Sequence, residues 1–575
     1  MKEKIINILK SDLLFAIVLN AIVPALCILL TSFSYDNSND YFNSILICRD
    51  HFYYNSQINY ILAVVNGSAQ YAFPDINCFV LSEVLLSYVA FTAITYVYAD
   101  KFNKNKSFVF SLLVLILFAL NHYSSIDSTK TAALLLISGF LLILNAIRNK
   151  RYNLPFWVGV LLLVLGSFYN YYYYFVALGF AVAFFLGDMI AKKKYRLDFQ
   201  KFFWYFRPFL IVFILVTGFV VGLQSFSYSV NNATEQGANY YRYAQLTEAT
   251  GNLPYPDYDD YSEQFESIGI NDESEYELLK NGYYDGDKQL GVTALQLVSD
   301  IQHKENSKTL LYAAGDVFTE LGANIVSFDV SVIIIAVYLA VSLAFILYHK
   351  NRFSFFPLFY VVTGYIAAVA LRYFYDSSDY LVYGLWLMMI VMLLFSFNFE
   401  ILRDKMPAEG IRRKKNSFMI ISCSIMALLL AGYSTLFMVQ RSSREPSEIP
   451  AMLINEIGRN PDCYYVMDPQ SRDGFIKCTE NYVHPLWGFR EGYLENLDDF
   501  GYFHNTEMLR RRNLPENIYE AVLKGRKVYV IDKYITFKKE KYFNVNYTRP
   551  HEHVSYRQLK ELDGYKVYEV KDINS

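Results

Sequence analysis

The chain has 575 residues, 54% of them hydrophobic and 19% charged, with a formal net charge of −3. Its apolar residues come in repeated runs of about 18–22 with hardly a charge, which excludes a soluble cytosolic enzyme, a collagen-like chain and a disordered protein. The near-neutral balance excludes a strongly basic nucleic-acid binder, while a mean hydropathy of only +0.18 requires sizeable polar regions beside the apolar ones.

Eleven membrane spans are predicted, at roughly 12–32, 77–98, 108–123, 131–147, 155–171, 173–190, 207–225, 329–348, 354–372, 380–399 and 417–439. The first follows MKEKIINILKSD and lacks a small-residue cleavage site, so a retained anchor is expected rather than a removed signal peptide. One set of connecting segments carries 23 Lys and Arg, among them Lys101, Arg151, Lys192–Lys194 and Arg412–Lys415. The short alternate loops carry only Arg49, Lys130 and Arg372. Positive charge gathers on the cytoplasmic side. The N-terminus is therefore expected inside and, with an odd number of spans, the C-terminus outside.

The expected fold class is mainly α: a polytopic membrane helix bundle with a small extracytoplasmic α/β domain at the C-terminus. Its parts are a membrane module over 1–225 with an outer loop at 33–76, an acidic outer loop at 226–328, further spans over 329–439, and the α/β domain at 440–575.

The first outer loop reads TSFSYDNSNDYFNSILICRDHFYYNS. Asp36 and Asp40 are four apart and would share one face of a helix leaving the membrane. Arg49, Asp50 and His51 follow. A carboxylate at a membrane surface can deprotonate an acceptor hydroxyl or hold a metal ion. The plainer reading is a set of loop acids in an Asx turn. Glu83 lies inside the second span, where an acid is costly unless paired or near water, and so becomes a site candidate. The next outer loop, HYSSIDSTKTAALL, brings His122, Asp127 and Lys130 together; Asp127 can equally cap the following helix.

The run SFYNYYYYFVAL (167–178) reads as an interfacial aromatic belt, or as a surface on which sugar rings stack. The loop 226–328 holds seventeen acids against five Lys and Arg. Asp257, Asp259 and Asp260 could bind calcium but read better as a solvated acidic tract. Residues 291–325 have helical apolar spacing and are expected to pack back on the membrane face. Arg372, in AVALRYFYDSSDYLVYG, either snorkels to headgroups or grips a lipid-linked phosphate, with Lys130 as the other available cation.

In the tail, 463–469, 527–535 and 564–570 read as strands, and 513–525 as a helix with Pro at its start and Gly at its end. His484, Trp487, Arg490, His504 and Arg510–Arg512 are candidates for an anionic or sugar ligand, or simply a solvated surface. Cys48 with Cys78, and Cys463 with Cys478, suggest disulfides in an oxidising space, with free thiols as the alternative. Cys27 and Cys423 fall mid-span and read as packing residues. There is no HExxH, Walker loop or GxSxG, which removes support for zinc proteases, transport ATPases and serine hydrolases of those kinds.

The whole pattern resembles the GT-C class of polytopic glycosyltransferases, which carry an acidic residue or pair in the first outer loop, directly after span one. Asp36 and Asp40, Asp127, the 226–328 loop and the 440–575 tail carry the resemblance. The adjacent acidic pair of many members is here separated by three residues. The resemblance implies a polyprenyl-phosphate sugar donor and inverting transfer to a cell-wall or surface glycan outside the bacterial plasma membrane. It further implies Asp40 as general base, with Asp36 and Asp127 as supporting carboxylates or ligands of a divalent cation such as Mg or Mn. Arg372 and Lys130 would hold the donor phosphate. Arg49, His51, His122 and Glu83 would support the site. A polysaccharide polymerase or ligase, and a transporter or flippase of lipid-linked glycan, are the competing expectations.

Overall fold

The computed structural model describes residues 11–30, 34–35, 38–102, 104–191, 199–251, 253–286, 288–305, 309–326, 330–349, 354–375, 379–397, 432 and 449–572, apart from 480, 481, 483, 488–491, 503–505, 535, 550 and 551. Asp36, Cys423, Arg490, His504 and, apart from residue 432, the span expected at 417–439 lie outside the described residues.

The protein is mainly helical, with a small sheet near the C-terminus. Helix α1 (Asp12–Leu30) is followed by a two-residue strand β1 (Ser34–Tyr35), a short helix α2 (Ser38–Ser44) running into a π-helical turn (Ile45–Arg49), and α3 (Tyr60–Ala72). Then come α4 (Cys78–Lys101), α5 (Lys104–Val114), a second π-helical turn (Leu115–Ala119), α6 (Leu120–Ser124), β2 (Ser125–Ile126), α7 (Ser128–Asn149), α8 (Leu154–Tyr169), α9 (Tyr171–Ala191) and α10 (Phe199–Asn231). Helices α16 (Val330–Tyr348), α17 (Phe356–Tyr375) and α18 (Asp379–Ser396) complete the described apolar set. Among the described residues six helices are long and apolar enough to cross a membrane, and four shorter apolar helices accompany them. They occupy ten of the eleven apolar stretches.

Helix α7 is the axis of this bundle, buried along almost all its length against α4, α8, α9 and α18. Small residues let its backbone come close to α8. A Cβ on Gly139 would meet the Gly159 carbonyl at 2.7 Å, and one on Gly159 would meet the Gly139 carbonyl at 2.9 Å. Close approach at small residues is how apolar helices gain packing energy where water gives no drive. Helix starts are set by polar caps at one end of the bundle. Asn77 accepts from the Val80 amide at the start of α4, and Asp127 from the Lys130 amide at the start of α7. Each satisfies an amide that the helix itself leaves open.

Between α10 and α16 the chain forms α11 (Glu235–Gly251), a 3-10 turn (Asp259–Tyr261), α12 (Ser262–Ser267), α13 (Glu273–Lys280), α14 (Val292–Glu305) and α15 (Leu310–Val326). The stretch expected as one membrane-facing helix, 291–325, is thus two helices with different partners. Helix α14 buries Leu295, Val298 and Ile301 in a polar-module core. Helix α15 packs Ala313 and Val317 on Val369 of α17.

The tail holds α19 (Ala451–Arg459), β3 (Tyr464–Met467), α20 (Pro469–Thr479), β4 (Leu497–Asp499), α21 (Thr506–Arg511), α22 (Ile518–Lys524), β5 (Val528–Asp532), α23 (Thr536–Asn546), β6 (Val554–Leu562) and β7 (Tyr565–Asp572). The sheet order is β4-β3-β5-β7-β6, with β3 parallel to β4 and β5 and the β6–β7 hairpin antiparallel. Asp563, at φ 51, and Gly564, at φ +77, are the two left-handed residues of that hairpin turn, and Gly adopts such a conformation without strain. The helix expected at 513–525 is shorter, starting where Asn517 accepts from the Tyr519 and Glu520 amides.

The acidic loop and the tail, separate in the sequence reading, share one hydrophobic core. Phe265, Tyr276, Leu295 and Val298 of the loop pack with Tyr464, Phe500, Tyr519 and Phe543 of the tail. The buried Asp285 carboxylate accepts from the hydroxyls of Tyr542 at 2.9 Å and Tyr547 at 2.5 Å. Ion pairs Asp272–Lys541 and Glu277–Lys538 close the same seam. The loop's acids are therefore partly spent on tail lysines.

Candidate functional site

The first loop is threaded back into the bundle. Strand β1 pairs in parallel with β2, Ser34 opposite Ser125 and Tyr35 opposite Ile126. This lays α2 against the start of α7. Asp40, buried, accepts the Ser128 backbone N–H on Oδ2 at 2.7 Å. Asp127, also buried, caps the same helix, its Oδ1 accepting the Lys130 N–H at 2.8 Å. Two carboxylates from distant segments thus converge on one helix N-terminus, whose open amides and dipole favour negative charge.

Glu83 comes in from α4. It is fully buried, and neither carboxylate oxygen has a hydrogen-bond partner among the described residues. The charged groups that act on it are Asp40 and Asp127. One turn further along α4, Ser87 Oγ meets His122 Nε2 at 2.6 Å, and His122 Nδ1 has no described partner. Lys130 is buried and donates from Nζ to Asn121 Oδ1 at 2.8 Å and to the Ser125 carbonyl at 3.4 Å. Its ammonium lies 5.3 Å from the centre of the Tyr383 ring.

Hydroxyls complete the lining. Tyr35 accepts from Asn77 Nδ2 at 2.8 Å and lies 3.3 Å from Ser44 Oγ. Burial pushes its phenol well above the usual range, so it stays neutral. Tyr169 and Ser82 share a hydrogen bond at 2.6 Å. Tyr169, Tyr173 and Tyr174 are buried, while Tyr172 and Phe175 are exposed. The tyrosine run is therefore no simple interfacial belt: half of it faces the bundle interior, and Tyr169 and Tyr173 feel the charges of Glu83 and Asp127 respectively.

The structure therefore gathers Asp40, Asp127, Glu83, His122 and Lys130 at one end of the bundle. It places Arg49 and His51 at the junction with the tail. Arg49 donates from both Nε and Nη2 to Asp50, and from Nη1 to the Leu494 carbonyl. His51, at φ 52, stacks on Tyr71 with ring centres 4.1 Å apart. Beside them Asn77 donates its amide to the Leu486 carbonyl, and Ile76 bridges to Trp487. Arg472 of α20 lies over the Phe42 ring at 4.6 Å and pairs with Asp499 at 2.7 Å. The tail therefore docks directly on the loop that carries Asp40.

Arg372 sits on α17 and pairs with Asp316 of α15. In the tail, Arg512 donates to the Cys463 and Pro461 carbonyls and to Asn496, a structural tie rather than an open binding group. Arg510 pairs with Glu516 at the surface.

Cys48, Cys78, Cys463 and Cys478 are free thiols, so the expected disulfides are not formed. Among the described residues no group of three His, Cys, Asp or Glu is arranged to hold a metal ion. Asp36, the third carboxylate expected at such a centre, lies outside the described residues.

No family model matches the chain, and no curated protein matches it. Among solved structures, the crystal structure of ArnT from Cupriavidus metallidurans in the apo state aligns at 9% identity and a TM-score of 0.38, covering 96% of this chain and 97% of that one. Likeness at that level carries no functional argument.

Proposed function

We propose that this protein is a membrane glycosyltransferase of the GT-C type. It moves a sugar from a polyprenyl-phosphate carrier to a cell-wall or surface-glycan acceptor on the extracytoplasmic face of the bacterial plasma membrane. One observation supports this above the others: three buried carboxylates, from the first loop, α4 and the start of α7, converge at the end of an apolar bundle, directly beneath a docked polar module.

The chemistry follows from that placement. A hydroxyl of the acceptor attacks the anomeric carbon, the bond from that carbon to the phosphate oxygen breaks, and the carrier phosphate leaves. Asp40 takes the hydroxyl proton, its position fixed by the Ser128 amide. Asp127 holds the start of α7 in place beneath it. Lys130 is the buried cation beside the site and suits the departing phosphate; Arg372 is the second candidate for that phosphate once Asp316 gives way. The tail and acidic loop, sharing one core above the first loop, would present the acceptor. The sidedness follows the distribution of Lys and Arg among the loops.

The test is the composition of the surface glycan in a deletion strain, complemented separately with the native gene and with Asp40→Asn. Loss of a sugar on deletion, restored only by the native gene, is the expected result. An unchanged glycan, or rescue by both genes, would point to transport or assembly instead.

A further inference from the structure

We infer that Glu83 is the sugar-recognition residue of this site: its carboxylate accepts hydrogen bonds from two adjacent hydroxyls of the substrate's ring. The inference rests on the proposed glycosyl transfer and goes further by assigning which group reads the sugar.

Burying a carboxyl group without hydrogen bonds is among the costliest things a fold can do. In an apolar bundle such a group marks a candidate functional site. Glu83 is 0% exposed and both its oxygens lack a partner among the described residues. The nearby donors are committed elsewhere. Tyr169 bonds Ser82, Asn77 donates to Tyr35, and Lys130 donates to Asn121 and Ser125. Among the described residues, Glu83 therefore has neither an ion pair nor a hydroxyl bonded to it.

The surroundings define what could. Asp40 and Asp127 are the charges that act on Glu83, so an anionic group is repelled there. The carrier's phosphate must lie elsewhere, towards Lys130. What suits a buried carboxyl group flanked by two aspartates is a neutral group rich in donors. A carboxylate has two oxygens and accepts from paired donors. Adjacent hydroxyls of a sugar ring present such a pair. His122 Nδ1, open and buried one turn along α4 behind Ser87, offers a third contact.

The experiment uses the full chain in lipid nanodiscs. The probes are undecaprenyl phosphate alone and undecaprenyl phosphate bearing glucose, galactose or arabinose. Binding and melting temperature are measured for the native protein, Glu83→Gln and Glu83→Ala. The native protein should bind at least one sugar-bearing carrier about tenfold or more tighter than the bare carrier. Glu83→Ala should bring that preference to within about twofold while leaving bare-carrier affinity unchanged. Glu83→Gln keeps the volume and removes the ionisable group, so it should melt no lower than native, whereas Glu83→Ala also leaves a cavity and is not compared for stability. A merely structural Glu83 would instead give a Glu83→Gln that melts lower and loses bare-carrier binding, and this would overturn the inference. So would full sugar preference in Glu83→Ala, or no preference in the native protein. A rise in native melting temperature with Mg2+ or Mn2+ alone, absent in Glu83→Gln, would make the carboxylate a cation ligand and also overturn it. Native protein that binds no carrier at all would instead remove the glycosyltransferase reading itself.

Discussion

Asp40 reaches across 88 residues to take the Ser128 backbone N–H on its Oδ2 at 2.7 Å. That bond and the β1–β2 pairing beside it close the first loop onto the start of α7. The same carboxylate is thus both a fastening and the proposed base, and substitutions can separate the two. In Asp40→Asn the amide oxygen can still accept from Ser128, so the protein should fold and reach the membrane. Transfer should fall by roughly 10²–10⁴, the usual worth of a positioned general base. Asp40→Ala should lose transfer and, in addition, about 1–3 kcal/mol of stability from the stranded Ser128 amide. Thermal unfolding alongside a transfer assay measures both, and full transfer by Asp40→Asn would end the base assignment.

The Arg372–Asp316 pair links α17 to α15, with side chains 27% and 29% exposed. At that exposure it contributes no more than about 1 kcal/mol. Neither partner should therefore matter much for folding. If Arg372 receives the donor phosphate, Arg372→Ala should raise the donor KM about tenfold or more, as expected for a lost charge-assisted pair. Asp316→Ala, which removes that ion pair, should leave the donor KM unchanged or lower it. Equal, small effects of both substitutions on stability, with donor KM untouched, would leave Arg372 only the role of holding α15.

The sequence made some of this legible, and physics explains which part. Apolar runs reveal helices because membrane spans need length and little else, so α4, α7 and α9 stand out. Asp127 reads as a cap from its own neighbours, and Glu83 as a site residue from its depth alone. The Asp40–Ser128 bond has no local signature, because its partner is a backbone amide far along the chain. Residues 226–328 and 440–575 read as two regions, since nothing near Asp285 announces Tyr542 and Tyr547 as its donors. Strand β6, VSYRQLKEL, escaped because it is a polar edge strand with little apolar alternation. The cysteine pairs misled because matched counts say nothing of geometry.

All four described cysteines should be alkylatable without reductant once the protein is denatured. In the folded protein they should differ. Burial pushes the Cys48 thiol up to about 12, which keeps it protonated and slow to react. Cys463 and Cys478 are half-buried in the tail and should react first. Intact cells treated with a reagent that cannot cross the membrane should therefore be labelled at Cys463 and Cys478. Labelling only after lysis would place the tail, and with it the site, on the cytoplasmic side and overturn the sidedness of the proposed reaction.

The tail should gain stability on mild acidification. Asp468 directly follows β3 and Asp532 ends β5, neighbouring parallel strands in which Met467 lies opposite Ile531. Burial and the charge of Asp532 push Asp468 up to about 6, against the pull of Lys539. Burial also pushes Asp532 up, but its buried ion pair with Lys539 overrides this and holds it below the usual carboxylate range. The signs differ. The folded tail holds a proton on Asp468 more tightly than the unfolded chain does, so the cost of ionising it is full above pH 6 and disappears as pH falls towards ~4. The contribution of Asp532 is present throughout that window and is lost only below the ordinary carboxylate range. Of the two carboxylates only Asp468 changes its charge between pH 7.5 and 5, while burial holds the His484 imidazole below its ordinary value and works in the opposite direction. The difference between native and Asp468→Asn removes the histidine's share. Hydrogen-exchange protection of β3 and β5, corrected for intrinsic rates, should therefore rise relative to Asp468→Asn as pH falls over that range, and the variant's protection at pH 7.5 should be higher than native. Protection that falls with acid in the native protein relative to that variant would show that the pair ionises together and that Lys539 balances both charges.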